Sequence, residues 1–139
     1  MNQLNPYLFF NGEAEKAIRH YEETLGAKSE GIMRWADGPG CEKMPEEDKH
    51  LVMHAMLHVG GGLLMVSDSA PGQPVVVGGN VQVVLDFDDK AEMTGKFNAL
   101  AATGKITMPL EDTFWGAHFG SLIDAFGIHW MFNCNHKKV

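Results

Sequence analysis

The sequence has only two cysteines, Cys41 and Cys134, among its 139 residues. Two are too few for the bridged framework of a small secreted domain, so both are expected as free thiols in a reducing cytoplasm. Basic residues are scarce as well: 11 Lys and Arg stand against 18 Asp and Glu, a formal net charge of −7. Without a basic face to neutralise phosphates, nucleic acid is not expected as a partner. The one basic pair, Lys137-Lys138, lies at the C-terminal end. No apolar run approaches the roughly 20 residues that cross a bilayer, so no membrane is expected either. The first residues, Met1-Asn2-Gln3-Leu4-Asn5-Pro6, carry neither the basic start nor the apolar stretch of a secretion signal, which fits a cytoplasmic protein. What is present is ordinary. At 45% hydrophobic and 21% charged, the chain can build one domain with a real core.

Read in order, Gln3–Phe10 suits a strand, with Asn5, Tyr7 and Phe9 on one face and Leu4, Leu8 and Phe10 on the other. Asn11-Gly12 turns the chain. Ala14, Ala17, Ile18, Tyr21 and Leu25 fall at helical spacing, which predicts a helix over Glu13–Leu25 stopped by Gly26. Ala27–Ala36 reads as a strand weakened by Gly31, and Asp37–Lys49 as a long loop. His50–Val59 and Gly62–Asp68 form a hairpin around Gly60-Gly61, and the Gly- and Pro-rich stretch from Ser69 to Gly79 is a linker.

The same order then repeats. Asn80–Phe87 is a strand with Val81, Val83, Leu85 and Phe87 on one face. Lys90–Thr103 is a helix capped by Asp88 or Asp89, and Lys105–Asp112 is a strand interrupted by Pro109. Strand, helix and three strands thus occur twice: module one over about 1–69, a linker over about 70–79, and module two over about 80–139. The fold class is α+β.

The stretch from Glu111 to Asn133 organises the second module. Two strands flank Asp124-Ala125-Phe126-Gly127, where Asp can bond backbone two residues on and Gly accepts positive φ. A strand, Asp-x-x-Gly and a closing strand resemble the last hairpin of the vicinal oxygen chelate superfamily, which includes glyoxalase I, extradiol dioxygenases and the bleomycin resistance proteins. Thr113-Phe114-Trp115-Gly116 with Gly127-Ile128-His129-Trp130-Met131 is similar to its PhnB-like branch. The resemblance spans essentially the whole chain. It implies paired βαβββ modules whose mixed sheets curve around a cleft, and a homodimer.

In that superfamily one inward residue on each of four strands, a His, Glu or Gln, usually holds a metal. Carried over by strand position, this implies Asn5 or Tyr7, Met65 or Ser67, Asn80 or Gln82, and Met131 or Asn133. Amide and thioether donors suit Zn²⁺, Fe²⁺ or Mn²⁺ poorly, so no metal cofactor is expected at the usual site.

Seven histidines need another account. His50, His54 and His58 are four apart, but Leu51, Met53, Ala55, Leu57 and Val59 alternate with them. The segment is therefore a strand, and residues four apart on a strand lie about 13 Å from one another. They are no chelate, yet His54 and Met56 share the face away from the helix. His118 follows Trp115-Gly116-Ala117, with Glu111 and Asp112 just before, and a Glu111–His118 pair could transfer protons. The catalytic candidates are therefore His54, Glu111 and His118, and the ligand-binding candidates are Tyr7, Phe9, His54, Met56, Gln82, Trp115 and His118. Trp130 reads as core.

Other motifs fail. Gly60-Gly61-Gly62 precedes a strand and lacks a following Lys-Ser/Thr, so it is no phosphate cradle. Ser67-Asp68-Ser69 has no nucleophile elbow. No Gly-rich strand-to-helix loop supports a methyltransferase or dinucleotide site. Three functions compete: a pocket that binds a small molecule without metal; a metal-dependent lyase, isomerase or dioxygenase with a displaced His/Glu site; and an association domain with a vestigial pocket. The donor chemistry favours the first.

Overall fold

The computed structural model describes residues 1–38 and 43–135. Cys41 and Lys137-Lys138 lie outside the described residues. The chain forms two compact units, Met1–Val76 and Val77–Val139. Each builds a four-stranded mixed sheet with one helix on it, the α+β architecture of the two βαβββ modules.

Module one consists of β1 (Tyr7–Phe10), α1 (Ala14–Leu25), β2 (Lys28–Arg34), β3 (Val52–Val59) and β4 (Gly62–Asp68). Its sheet order is β1-β4-β3-β2, with β1 parallel to β4 and the remaining pairs antiparallel. The predicted apolar stripe of α1 is the buried one: Ala14, Ala17, Ile18, Tyr21 and Leu25 are all inaccessible. Beneath it lie Leu8, Phe10, Ala55, Leu57, Leu64 and Val66, the alternate residues of β1, β3 and β4. Gly26 ends the helix in the left-handed region.

No side chain of the preceding loop caps α1. Buried Asp68, at the end of β4, does so from a distance: Ala14 N–H donates to its Oδ1 and Val52 N–H to its Oδ2, both at 2.9 Å. One carboxylate therefore ties the helix start to two strands, where the helix dipole favours negative charge. On the far edge, Arg34 donates to both oxygens of Glu15 at 2.8 and 3.0 Å, linking β2 to α1.

Module two consists of β5 (Val83–Phe87), α2 (Lys90–Ala101), β6 (Lys105–Asp112), β7 (Ala117–Ile123) and β8 (His129–Asn135), in sheet order β5-β8-β7-β6. Asp89 caps α2 by accepting the Ala91 N–H. Met93, Phe97 and Leu100 are buried on its inner face, and Phe97 meets Phe132 edge-on at 5.2 Å between ring centres. Trp130 is completely buried, as its reading as core requires.

Of the boundaries that differ from those the sequence suggests, three bear on the candidate site or its edge. The first strand begins at Tyr7 rather than Gln3, because Pro6 has no N–H and the Pro6 carbonyl already accepts from Met65 N–H where the ladder starts. β5 begins at Val83 rather than Asn80, because its partner β8 starts at His129 and Val83 pairs with Trp130. Asn80 and Gln82 thus precede the strand. β2 stops at Arg34, where Trp35–Asp37 tighten into a 3₁₀ turn.

Candidate functional site

Each sheet has one face under its helix and one face turned from it. In module one the register fixes the second face. Tyr7 lies opposite Met65, Met65 opposite Met56, and Met56 opposite Glu30, so one row crosses all four strands. Phe9 lies opposite Ser67, and Met33 opposite His54, in the next row. Directly opposite residues emerge on the same side of a ladder, so these side chains form one surface.

The surface is aromatic and thioether-rich. The rings of Tyr7 and Phe9 stack with centroids 4.5 Å apart and planes 11° from parallel, although they remain 39% and 46% exposed. Tyr7 Oη lies 3.1 Å from His54 Nδ1, a hydrogen bond whose direction follows the imidazole tautomer. At the opposite edge, His58 Nε2 donates to Glu30 at 2.8 Å. The structure thus brings Tyr7, Phe9, His54 and Met56 onto one face.

Met33 was not legible as a member of this face. Between Glu30 and Met33, β2 advances three residues while β3 advances two, from Met56 to His54. This is a bulge, and Gly31 occupies it with φ of +64°. Without the extra residue, strict alternation would set Ile32 opposite His54. The sole signal in the sequence was Gly31 itself.

In module two the corresponding face carries Val84 and Asp86 of β5, Met131 and Asn133 of β8, and Phe119 and Ser121 of β7. Asn133 Nδ2 donates to Asp86 Oδ1 at 2.9 Å, and Ser121 and Thr107 hydroxyls lie 2.7 Å apart. Trp115, 59% exposed in the β6–β7 turn, meets Phe114 and Phe119 edge-on at 4.9 and 6.3 Å. Gln82 stands just before β5, so Val84 and Asp86 take the strand positions that sequence reasoning gave to Asn80 and Gln82.

His118 sits elsewhere. It lies opposite Cys134, on the face that also carries Phe132 and packs under α2. Its Nδ1–H donates to Asp112 at 2.9 Å, and Lys90 at the start of α2 lies 3.8 Å from the same carboxylate oxygen. Asp112, not Glu111, is therefore the acid paired with His118. Glu111 instead lies opposite Phe119. The reason is geometric: neighbouring residues on a strand face opposite ways, and Asp112 is the one directly across from His118.

At the strand positions that the resemblance marks for metal ligands, module one presents Tyr7 and Met65, and module two presents Val84 and Met131, with Asp86 and Asn133 one pleat further on. Neither the phenol and thioether of module one nor the isopropyl group and thioether of module two fit Zn²⁺, Fe²⁺ or Mn²⁺, which take imidazole nitrogen and carboxylate oxygen. Among the described residues, no three His, Cys, Asp or Glu side chains gather into a group that could hold a metal.

Known proteins place this geometry in a family. The family model for the Glyoxalase/Bleomycin resistance protein/Dioxygenase superfamily matches residues 3–132. Protein YjdN of Escherichia coli is 36% identical over 138 residues, covering 94% of this chain and 93% of its own length. The crystal structure of protein PA1353 from Pseudomonas aeruginosa superposes with a TM-score of 0.86 at 40% identity, covering 99% of this chain and all of the other. A Bacillus cereus structure described as a putative 3-demethylubiquinone-9 3-methyltransferase, PhnB protein, superposes with a TM-score of 0.74 at 25% identity, over 96% of this chain and 99% of the other.

Proposed function

We infer that this chain, which belongs to the glyoxalase/bleomycin resistance protein/dioxygenase superfamily, binds a small organic molecule on an aromatic surface, without a divalent metal at the superfamily's usual positions. The observation that carries this reading is the Tyr7–Phe9 stack, exposed on the sheet face turned away from α1. Contiguous apolar surface of this kind marks binding sites more often than scattered exposure does. Flat rings supply contact area at little entropic cost, flexible thioethers adapt around the ligand, and the Tyr7–His54 pair offers one directional hydrogen bond. The donor set at the metal positions supports the metal-free part. We read the molecule as a cytoplasmic homodimer. No methyltransferase chemistry is proposed, since the sequence has no Gly-rich strand-to-helix loop of the kind its cofactor sites generally use.

The test is a thermal-shift screen of small aromatic compounds against wild type and a Tyr7→Ala/Phe9→Ala variant. A ligand at about 100 times its Kd stabilises by about 2.7 kcal/mol, and the variant should lose that shift while keeping its own fold. A full panel without shifts, or shifts retained in the variant, would overturn the reading. About one Zn, Fe, Mn, Ni or Co per chain by plasma mass spectrometry would overturn the metal-free part.

A second reading, general acid–base catalysis, has one observation in its favour. Asp112 orients His118 through Nδ1 and leaves Nε2 with a lone pair, the arrangement of a positioned base. A reaction lost in His118→Gln and weakened in Asp112→Asn would establish it.

A further inference from the structure

Three thioethers and one imidazole share the open face of module one. Met56 is directly opposite Met65, and Met33 directly opposite His54. Such pairs have Cβ atoms about 4.5–5.5 Å apart, and His54 and Met56, two apart on one strand, are separated by about 7 Å. Methionine's unbranched side chain, with three rotatable bonds, spans these gaps readily. The four groups come from three adjacent strands, β2, β3 and β4. His54, Met56 and Met65 are half-buried while Met33 is exposed, so the set is open to solvent on one side.

The same set that fits hard divalent ions poorly fits soft ones well. Thioether sulfur is neutral and polarisable and selects Cu(I), and imidazole serves copper as readily as zinc. We propose that module one carries a soft-metal site, formed by His54 and Met56 with Met65 or Met33 exchanging as the third donor, for a monovalent thiophilic cation of the Cu(I) class. The Tyr7 hydroxyl, 3.1 Å from His54 Nδ1, is the outer partner that a metal-ligating histidine requires. When Nδ1–H donates to the phenol oxygen, Nε2 keeps its lone pair for the ion. Glu30, directly opposite Met56, places a carboxylate at the edge of the set to offset the charge. The bulge at Gly31 is what brings Met33 into it. This inference goes beyond the organic-ligand reading and does not depend on it, since the titration below gives its answer whether or not a small molecule is found.

Both thiols are first removed, as Cys41→Ser and Cys134→Ala, because thiolates also take Cu(I). The full chain, labelled with ¹³C at the methionine methyls, is titrated with Ag(I) under anaerobic conditions, and Cu(I) affinity is measured against a chromophoric chelator. Expected are one Ag(I) per chain and methyl shifts confined to Met33, Met56 and Met65 among the nine methionines. Zn²⁺ should leave those methyls unmoved. Tyr7→Phe should weaken Cu(I) binding by about tenfold, the effect of losing an outer-shell partner, and Met56→Leu/Met65→Leu should weaken it further. Shifts at other methionines, no shifts at all, or affinity unchanged in the double variant would overturn the proposal. The methyl map is read with every methionine in place, so it holds even where a leucine variant fails to fold.

Discussion

Buried Asp124 accepts the indole N–H of Trp130 at 2.8 Å on one carboxylate oxygen and the backbone N–H groups of Phe126 and Ile128 at 2.9 and 3.0 Å on the other. A single side chain thus closes the last turn and satisfies the one polar atom of the largest side chain in the core of module two. The turn's other requirement, a residue at φ of +91°, is met by Gly127.

Asp124→Ala should therefore cost about 3 kcal/mol, because it strands a buried indole N–H and two turn amides at once. Asp124→Asn should cost less: one oxygen remains for the turn, but the amide nitrogen cannot accept from Trp130. Urea unfolding at neutral pH checks the order. A loss below about 1 kcal/mol for the alanine variant would mean that water replaces the carboxylate without difficulty.

Acid should weaken module one through Glu15. The hydrogen bond from Arg34, aided by the charges of Arg34, Arg19 and His50, holds the Glu15 carboxyl below its usual range against the opposing effect of burial. Since the folded state lowers this pKa, the unfolded chain binds the proton more readily. The stabilisation is fully present above the ordinary carboxylate range and is lost as pH falls through the lowered folded value. Glu15 is about one-third exposed, so solvent screening limits the effect to about 1 kcal/mol. Glu15→Gln should flatten that part of the pH–stability curve, as followed by urea unfolding from neutral to acid pH. An unchanged curve would show that the pair contributes nothing.

Gly31→Ala should cost about 1 kcal/mol although nothing lies within 4 Å of the added methyl group, because φ is +64° there. Gly31→Asn should cost less, as asparagine tolerates that region better. The Ala variant should also disturb the placement of Met33 opposite His54, visible as a shift of the Met33 methyl resonance. Wild-type stability in the Ala variant would indicate that the bulge relaxes freely.

The helix of module one was legible in full: the spacing of Ala14, Ala17, Ile18, Tyr21 and Leu25 admits one buried stripe, and that stripe is buried. Periodicity likewise put His54 and Met56 on the face away from the helix, and Asp124 with Gly127 marked the final turn. These are local facts, set by side-chain period and turn chemistry within a few residues. The site needed more. Asp112 rather than Glu111 meets His118 because cross-strand register, not closeness in sequence, chooses partners. Val84 replaces Asn80 and Gln82 because a strand begins where its partner does. Met33 reaches His54 through a one-residue bulge, and a second shift returns Arg34 to the earlier register opposite Val52. The sequence by itself determined the elements, their inward faces and the family. Register and bulges, fixed by strands far apart in the chain, were decided only by the tertiary structure, because a strand's own residues specify alternation but not the partner each one meets.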